Sequence, residues 1–162
     1  MAIGDSLSAT ILVVLVVGAR LLPAAGASQG PSTLTSCLSS ANLHPVSSSS
    51  SDYKADSLAF NRRLSYKPAD IVFPASVQDV ASAVTCASRA GVKVAARSGG
   101  HSYAANGIGG EDGSLVVDLR RLTSIKVTAS TQTAQFGTGI RLGDLALALF
   151  NGGNQAMAHG KA

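Results

Sequence analysis

From about residue 66 onward, apolar and polar positions fall into short, sharply punctuated runs. Ile71-Val72-Phe73, closed by Pro74, has the β-branched and aromatic content of a strand. Ser76 then stands three residues before Asp79, the spacing of a capping box that opens a helix. Val77, Val80, Ala81, Val84 and Ala87 repeat at helical spacing and give that helix one apolar face. Gly91 follows as its stop, where a left-handed residue satisfies the last carbonyls. Val92 to Ala96 reads as a second strand, so the pattern predicts a β–α–β unit. Its crossover is right-handed if the two strands pair in parallel.

Three more short strands are predicted at Leu115 to Leu119, Ile125 to Val127 and Ala134 to Phe136, the last broken by Gly137-Thr138-Gly139. A helix then runs from Leu142 to Phe150 with Leu142, Leu145 and Leu149 on one side, stopped by Asn151-Gly152-Gly153. No internal repeat is visible, and the fold class is α+β. Residues 28–51 show neither period. They are rich in Ser, Ala and Pro and end in the run Ser47 to Ser51, so an arm or loop outside the core is expected, open to O-glycosylation.

The start of the chain changes the picture of what is mature. Ile11 to Val17 is an apolar run, and Ala25-Gly26-Ala27 has the small-x-small form of a signal-peptidase site. The run falls far short of the roughly 20 residues that span a bilayer. A signal peptide over residues 1–27 and secretion are expected, although Asp5 and no basic residue precedes the apolar core. The remaining residues suffice for one modest domain, an arm at 28–65 followed by the patterned region at 66–162. The net charge of +4 is unchanged by that removal, since Asp5 and Arg20 leave together. Basic residues are scattered, without a stripe interleaved with aromatics, so nucleic-acid binding is unsupported. Cys37 and Cys86 allow one disulfide between the arm and the first helix, or two buried thiols; neither has zinc-site spacing.

The candidate chemistry lies between two strand-like runs, in Arg97-Ser98-Gly99-Gly100-His101-Ser102-Tyr103. A glycine loop between strands can present several N–H groups to a diphosphate. It can equally be a tight turn whose glycines supply positive φ. His101 is a candidate nucleophile or a loop histidine bonded to a backbone carbonyl. Tyr103 packs beside a ligand or caps its own turn, while Tyr53 and Tyr66 are expected to pack on the surface and His44 to be solvated. No Gly-Lys-Ser/Thr follows Gly107 to Gly110, which excludes a P-loop. The loop leads into a strand rather than a helix, against a Rossmann unit. No Gly-x-Ser-x-Gly elbow surrounds Ser98 or Ser102.

Five pieces occur in order: Pro74-x-x-Val77-x-Asp79-Val80, Arg97 to Tyr103, Val117-Asp118-Leu119, Gly137-x-Gly139-x-Arg141-Leu142-Gly143-Asp144-Leu145 and Ala158-His159-Gly160. With them the chain resembles FAD-linked oxidases of the vanillyl-alcohol oxidase and p-cresol methylhydroxylase superfamily, in the berberine-bridge-enzyme-like or gluco-oligosaccharide-oxidase-like branch. The resemblance spans Tyr66 to Gly160 and implies the N-terminal part of a PCMH-type FAD-binding domain. It implies that Arg97, Ser98, Gly99, Gly100, His101, Ser102 and Tyr103 wrap the FAD diphosphate, with His101 bonded to the 8α-methyl carbon of the flavin. Gly137 and Gly139 would lie on a second FAD-facing turn, with His159 and Gly160 near the flavin. Cys37 and Cys86 match the branch's disulfide.

The implied activity is oxidation of a hydroxyl group on a carbohydrate or small secondary metabolite; the alternative is a non-catalytic secreted binding module derived from such an oxidase. Members of the branch commonly follow Ala-His-Gly with Thr-Cys, whose cysteine makes a second flavin bond, whereas here Lys161-Ala162 follows. The resemblance therefore implies a first third of such an enzyme, ending inside the flavin site and without the substrate domain that carries the catalytic base. Such a polypeptide by itself is expected to expose apolar faces, fold poorly and turn over little. Intact-mass spectrometry of the secreted product is expected to show a mature chain beginning at Ser28; an intact Met1 would overturn the leader assignment.

Overall fold

The computed structural model describes residues 31–158, so the leader and both His159 and Gly160 lie outside the described residues. The elements are α1 (Pro31–Ser40), β1 (Val46–Ser47), α2 (Tyr53–Asp56), β2 (Asp70–Val72), α3 (Val77–Ala90), β3 (Val94–Arg97), β4 (Leu115–Asp118), β5 (Ile125–Thr128), β6 (Thr133–Phe136) and α4 (Leu142–Gly153). The mixed helix and sheet content is the α+β class expected. Helix α3 has the expected start, with Ser76 Oγ accepting from the Asp79 N–H and Asp79 accepting from the Ser76 N–H. Gly91 ends it at φ 67°.

The arm departs from expectation. Residues 31–40 form a helix whose Leu34 and Leu38 are fully buried, and Leu43 joins them in the main core. The serine-rich composition masks this, because two leucines four apart make a seam when a partner helix is at hand. Helix α3 is that partner, and the Cys37–Cys86 disulfide links the two. The serine run is ordered too: Val46 and Ser47 pair with β2, and Ser50 Oγ accepts from the Ser47 N–H.

Four strands form one sheet in the order β1-β2-β4-β3, with β2, β4 and β3 parallel and β1 antiparallel at one edge. Helix α3 does connect β2 to β3, but the two strands do not pair: β4 lies between them. Burial explains the order. All four residues of β4 are buried, whereas β3 leaves Val94 and Ala96 exposed, so the more apolar strand takes the interior place.

The strand period of two splits the sheet's side chains between two cores. Val72, Leu115 and Val117 face α1 and α3, while Ile71 and Val116 face a second cluster containing Ala59, Ala105 and Ile108. Ile108 sits on a 3₁₀ turn inside the glycine-rich loop, so that loop is anchored at its middle. Asp70 is fully buried at the start of β2 and accepts from Thr35 Oγ1 at 2.7 Å; burial pushes its carboxyl above the ordinary range.

Beyond the sheet, β5 and β6 form an antiparallel hairpin on which α4 packs. Helix α4 runs on through Asn151-Gly152-Gly153, which were expected to stop it, and is capped by Asn154 at φ 51°. The reason is packing: a Cβ on Gly152 would lie 2.9 Å from the Val127 side chain. The glycine lets helix and strand meet closely. Among the described residues no helix is long and apolar enough to cross a membrane.

The disulfide closes a sequence separation of 49 residues, for which loop-closure entropy gives about 4 kcal/mol. The Cys37→Ser/Cys86→Ser double variant is accordingly expected to unfold at markedly lower urea concentration, with a raised m value because the unfolded chain without the cross-link exposes more surface; coincident midpoints would contradict this.

Candidate functional site

Arg97 and Asp118 are the last residues of two neighbouring parallel strands and are register partners. Their side chains therefore leave the sheet at the same edge, the carboxyl edge where open parallel sheets commonly take ligands. Arg97 Nε donates to Asp118 Oδ2 at 2.5 Å, with side-chain exposures of 7% and 1%. Arg97 Nη1 donates to the Asp56 carbonyl at 2.6 Å. Arg97 Nη2 is buried and has no hydrogen-bond partner among the described residues.

Asp118 also accepts from Arg120: the backbone N–H and Nε at 3.0 Å on Oδ1, and Nη2 at 2.8 Å on Oδ2. Burial pushes the Asp118 carboxyl up, but the Arg120 hydrogen bonds and the Arg97 charge outweigh it and hold the group below the usual carboxylate range. The same hydrogen bonds, donated to Asp118, raise the Arg120 guanidinium, which also lies 3.5 Å from Asp56.

The glycine loop leaves β3 directly from Arg97. Gly100 takes φ 73°, a conformation side chains rarely adopt, and a Cβ there would lie 3.4 Å from the Arg97 stem. Ser98 Oγ donates to the Thr138 carbonyl at 2.5 Å, and Arg141 Nη1 to the Gly99 carbonyl at 3.1 Å. The 137–141 turn is thus laid against the loop. Its own glycines answer to a different neighbour: a Cβ on Gly137 would strike the Leu122 carbonyl, and one on Gly139 the Leu119 carbonyl. Ser102 Oγ accepts from the Asn106 N–H and closes the loop internally. His101 is exposed and stacks on Phe60, with Tyr103 set edge-on to both rings.

Between these parts lies a cleft of about 240 Å³. Asp56, Phe60 and Arg62 of the N-terminal segment line it together with Arg97 to Gly100, Asp118, Arg120 and Arg141. Four arginines and two aspartates line it, and both aspartates are engaged by arginines. Among the described residues, a larger hollow of about 600 Å³ between β6 and the end of α4 is lined by no titratable side chain.

Of the residues that the sequence singled out for the cofactor, Arg97, Ser98, Gly99 and Gly100 line this cleft, whereas His101, Ser102, Tyr103, Gly137 and Gly139 do not. Sequence reasoning missed Asp56, Phe60 and Arg62, which belong to the segment 28–65 read as an N-terminal arm. The signal was present in Phe60-Asn61-Arg62-Arg63, an aromatic and two bases in an otherwise polar stretch. Asp118 was quoted only as part of a strand motif. Among the described residues no group of His, Cys, Asp and Glu is arranged to hold a metal ion.

An orphaned buried guanidinium nitrogen, bare glycine backbone and an excess of cationic side chains all fit an anionic group such as a nucleotide diphosphate. The fold and cleft define an α+β domain with an arginine-lined sheet edge. Comparison with known proteins gives the family. The FAD binding domain family matches residues 68–160, and the chain belongs to it. The xylooligosaccharide oxidase of Thermothelomyces thermophilus is 44% identical over 124 residues, which is 76% of this chain and 25% of that protein. The chitooligosaccharide oxidase of Gibberella zeae is 43% identical over 127 residues, covering 78% and 26%. The solved glucooligosaccharide oxidase from Acremonium strictum, a protein with a 6-S-cysteinyl, 8α-N1-histidyl FAD, superposes with a TM-score of 0.75 at 41% identity, covering 80% of this chain and 27% of that one. The chain thus spans about a quarter of the length of the relatives it matches.

Because Asp118 is held below its ordinary pKa, its contribution is complete above about pH 4 and is lost as pH falls through its lower folded value. Asp118→Ala strands a buried guanidinium and is expected to cost about 3–5 kcal/mol near neutrality. The gap to wild type should narrow below pH 4 in urea titrations; a gap independent of pH would count against the pair.

Proposed function

We propose that this chain holds FAD with its diphosphate in the arginine-lined cleft, and that it serves an oxidase acting on hydroxyl groups of a carbohydrate or small secondary metabolite. The observation that carries the reading is the unpartnered Arg97 Nη2 at the foot of a glycine loop, in a cleft with three further arginines from outside the strands, Arg62, Arg120 and Arg141. A buried guanidinium nitrogen without an acceptor costs stability, which a phosphate oxygen would recover. Arg97, Arg141 and the N–H groups of Ser98 to Gly100 would take the diphosphate. Ser102 and Tyr103 would keep the loop's shape on its exposed side, and His159 and Gly160 would approach the flavin.

FAD supplies the hydride-accepting chemistry of such an oxidase when bound. The residues of this chain bind and orient it, and His101 serves as its covalent tether. The near relatives named above support the hydroxyl-oxidising activity and the carbohydrate class. The apolar run at Ile11 to Val17 with Ala25-Gly26-Ala27 supports export of the protein.

Titration of the full chain into FAD, followed by flavin fluorescence, is expected to show saturable binding that ADP competes and adenosine does not. Arg141→Ala, exposed and outside the core, should weaken binding by about tenfold, the equivalent of one charge-assisted hydrogen bond. Absence of saturation, or competition by adenosine as strong as by ADP, would remove the diphosphate reading.

A further inference from the structure

Phe60 lies outside the segment that the FAD binding domain family matches, yet among the described residues it makes the closest ring contact of His101. Its ring centroid is 3.8 Å from that of the imidazole, with 30° between the planes. Tyr103 stands edge-on at 5.3 Å from Phe60 and 5.8 Å from His101, at 82° to each. The backbone is tied at the same place, because Asn61 Nδ2 donates to the Tyr103 carbonyl at 3.0 Å. Two segments 42 residues apart in sequence are therefore joined both by a hydrogen bond and by stacked rings.

This cluster does not earn its place as core. Phe60 is 46% exposed, Tyr103 is 71% exposed and His101 is exposed as well. An exposed imidazole on a loop next to Gly100 has two free side-chain torsions and would sample several rotamers. A flat ring against one face leaves few orientations open to it, and the edge of Tyr103 limits rotation further. Phe60 also lines the cleft, together with Arg97 to Gly100. The imidazole is thus braced by a residue that lines the cleft.

We propose that Phe60 is a positioning residue for His101, fixing the plane of the imidazole so that a ring nitrogen is aimed at the flavin it tethers. The inference rests on the tethering reading of His101 given above. Tethering exchanges one imidazole N–H and one 8α-methyl C–H for one N–C bond. Two electrons and two protons pass to dioxygen, giving hydrogen peroxide. Phe60 takes no part in that exchange. It restricts the imidazole to the reactive orientation, and a misplacement of about 1 Å in such a geometry can cost on the order of 10²-fold in rate.

The test uses the full chain with labelled histidine, read by NMR before and after incubation with FAD. Asn at position 101 (His101→Asn) assigns the resonance. In the wild type and in Phe60→Tyr, His101 ring protons are expected to carry a ring-current shift that Phe60→Leu abolishes. Acid-stable flavin should then form about 10²-fold more slowly in Phe60→Leu than in wild type or Phe60→Tyr. Urea midpoints close to wild type are expected for both variants, since Phe60 is half exposed. His101 resonances unaffected by Phe60→Leu, or equally fast tethering without the stack, would overturn the role of Phe60. Absence of acid-stable flavin from the wild type would instead overturn the tethering reading, and the role with it.

Discussion

The ion pair between Arg97 and Asp118 is the constraint on which the rest of the site depends. It joins the ends of two parallel strands at the edge where the glycine loop departs. A buried pair of this kind adds little net stability, because desolvation offsets most of the attraction. What it fixes is geometry. Through the same two side chains, Asp56 of the N-terminal segment and Arg120 beyond β4 are brought to one point. Three stretches distant in sequence cannot move apart there without stranding a charge.

That fixed point lets a glycine-rich loop behave as a rigid part. The loop is held at its root by Arg97, at its middle by Ile108 in the second core, and along its flank by Ser98 against Thr138. Its exposed tip, with His101 and Tyr103, is then braced against Phe60 and Asn61. The glycines divide by purpose. Gly137 and Gly139 let the second turn press against the 119–123 backbone, whereas Gly100 supplies a left-handed residue at the root of the loop. A rigid scaffold carrying exposed functional groups is the general arrangement of binding loops.

The N-terminal segment belongs to both cores and to the cleft, though it lies before the FAD binding domain match at residues 68–160. Helix α1 covers one face of the sheet and is linked to α3 by the disulfide; Tyr53 and Ala59 pack on the other face. Tyr53 is fastened by its hydroxyl, which donates to the Pro68 carbonyl at 2.7 Å. Asp56 and Phe60 therefore reach the cleft from a segment secured on either side of the sheet.

The sequence by itself determined what depends on neighbours in the chain. The capping box at Ser76 and Asp79, the left-handed stop at Gly91, the short apolar strands and the glycine loop beside His101 all follow from local rules, and all are present. The ordered motifs also gave the FAD-binding family. Tertiary structure decided what depends on partners far along the chain. A serine-rich stretch became helix α1 because α3 offered Leu34 and Leu38 an apolar seam; β4, buried along its whole length, took the place between β2 and β3, whose pairing the sequence left open. Asp56 and Phe60 became walls of the cleft only once the sheet edge had formed, since hydrogen bonds and ring contacts across some 40 residues leave no periodic trace in sequence.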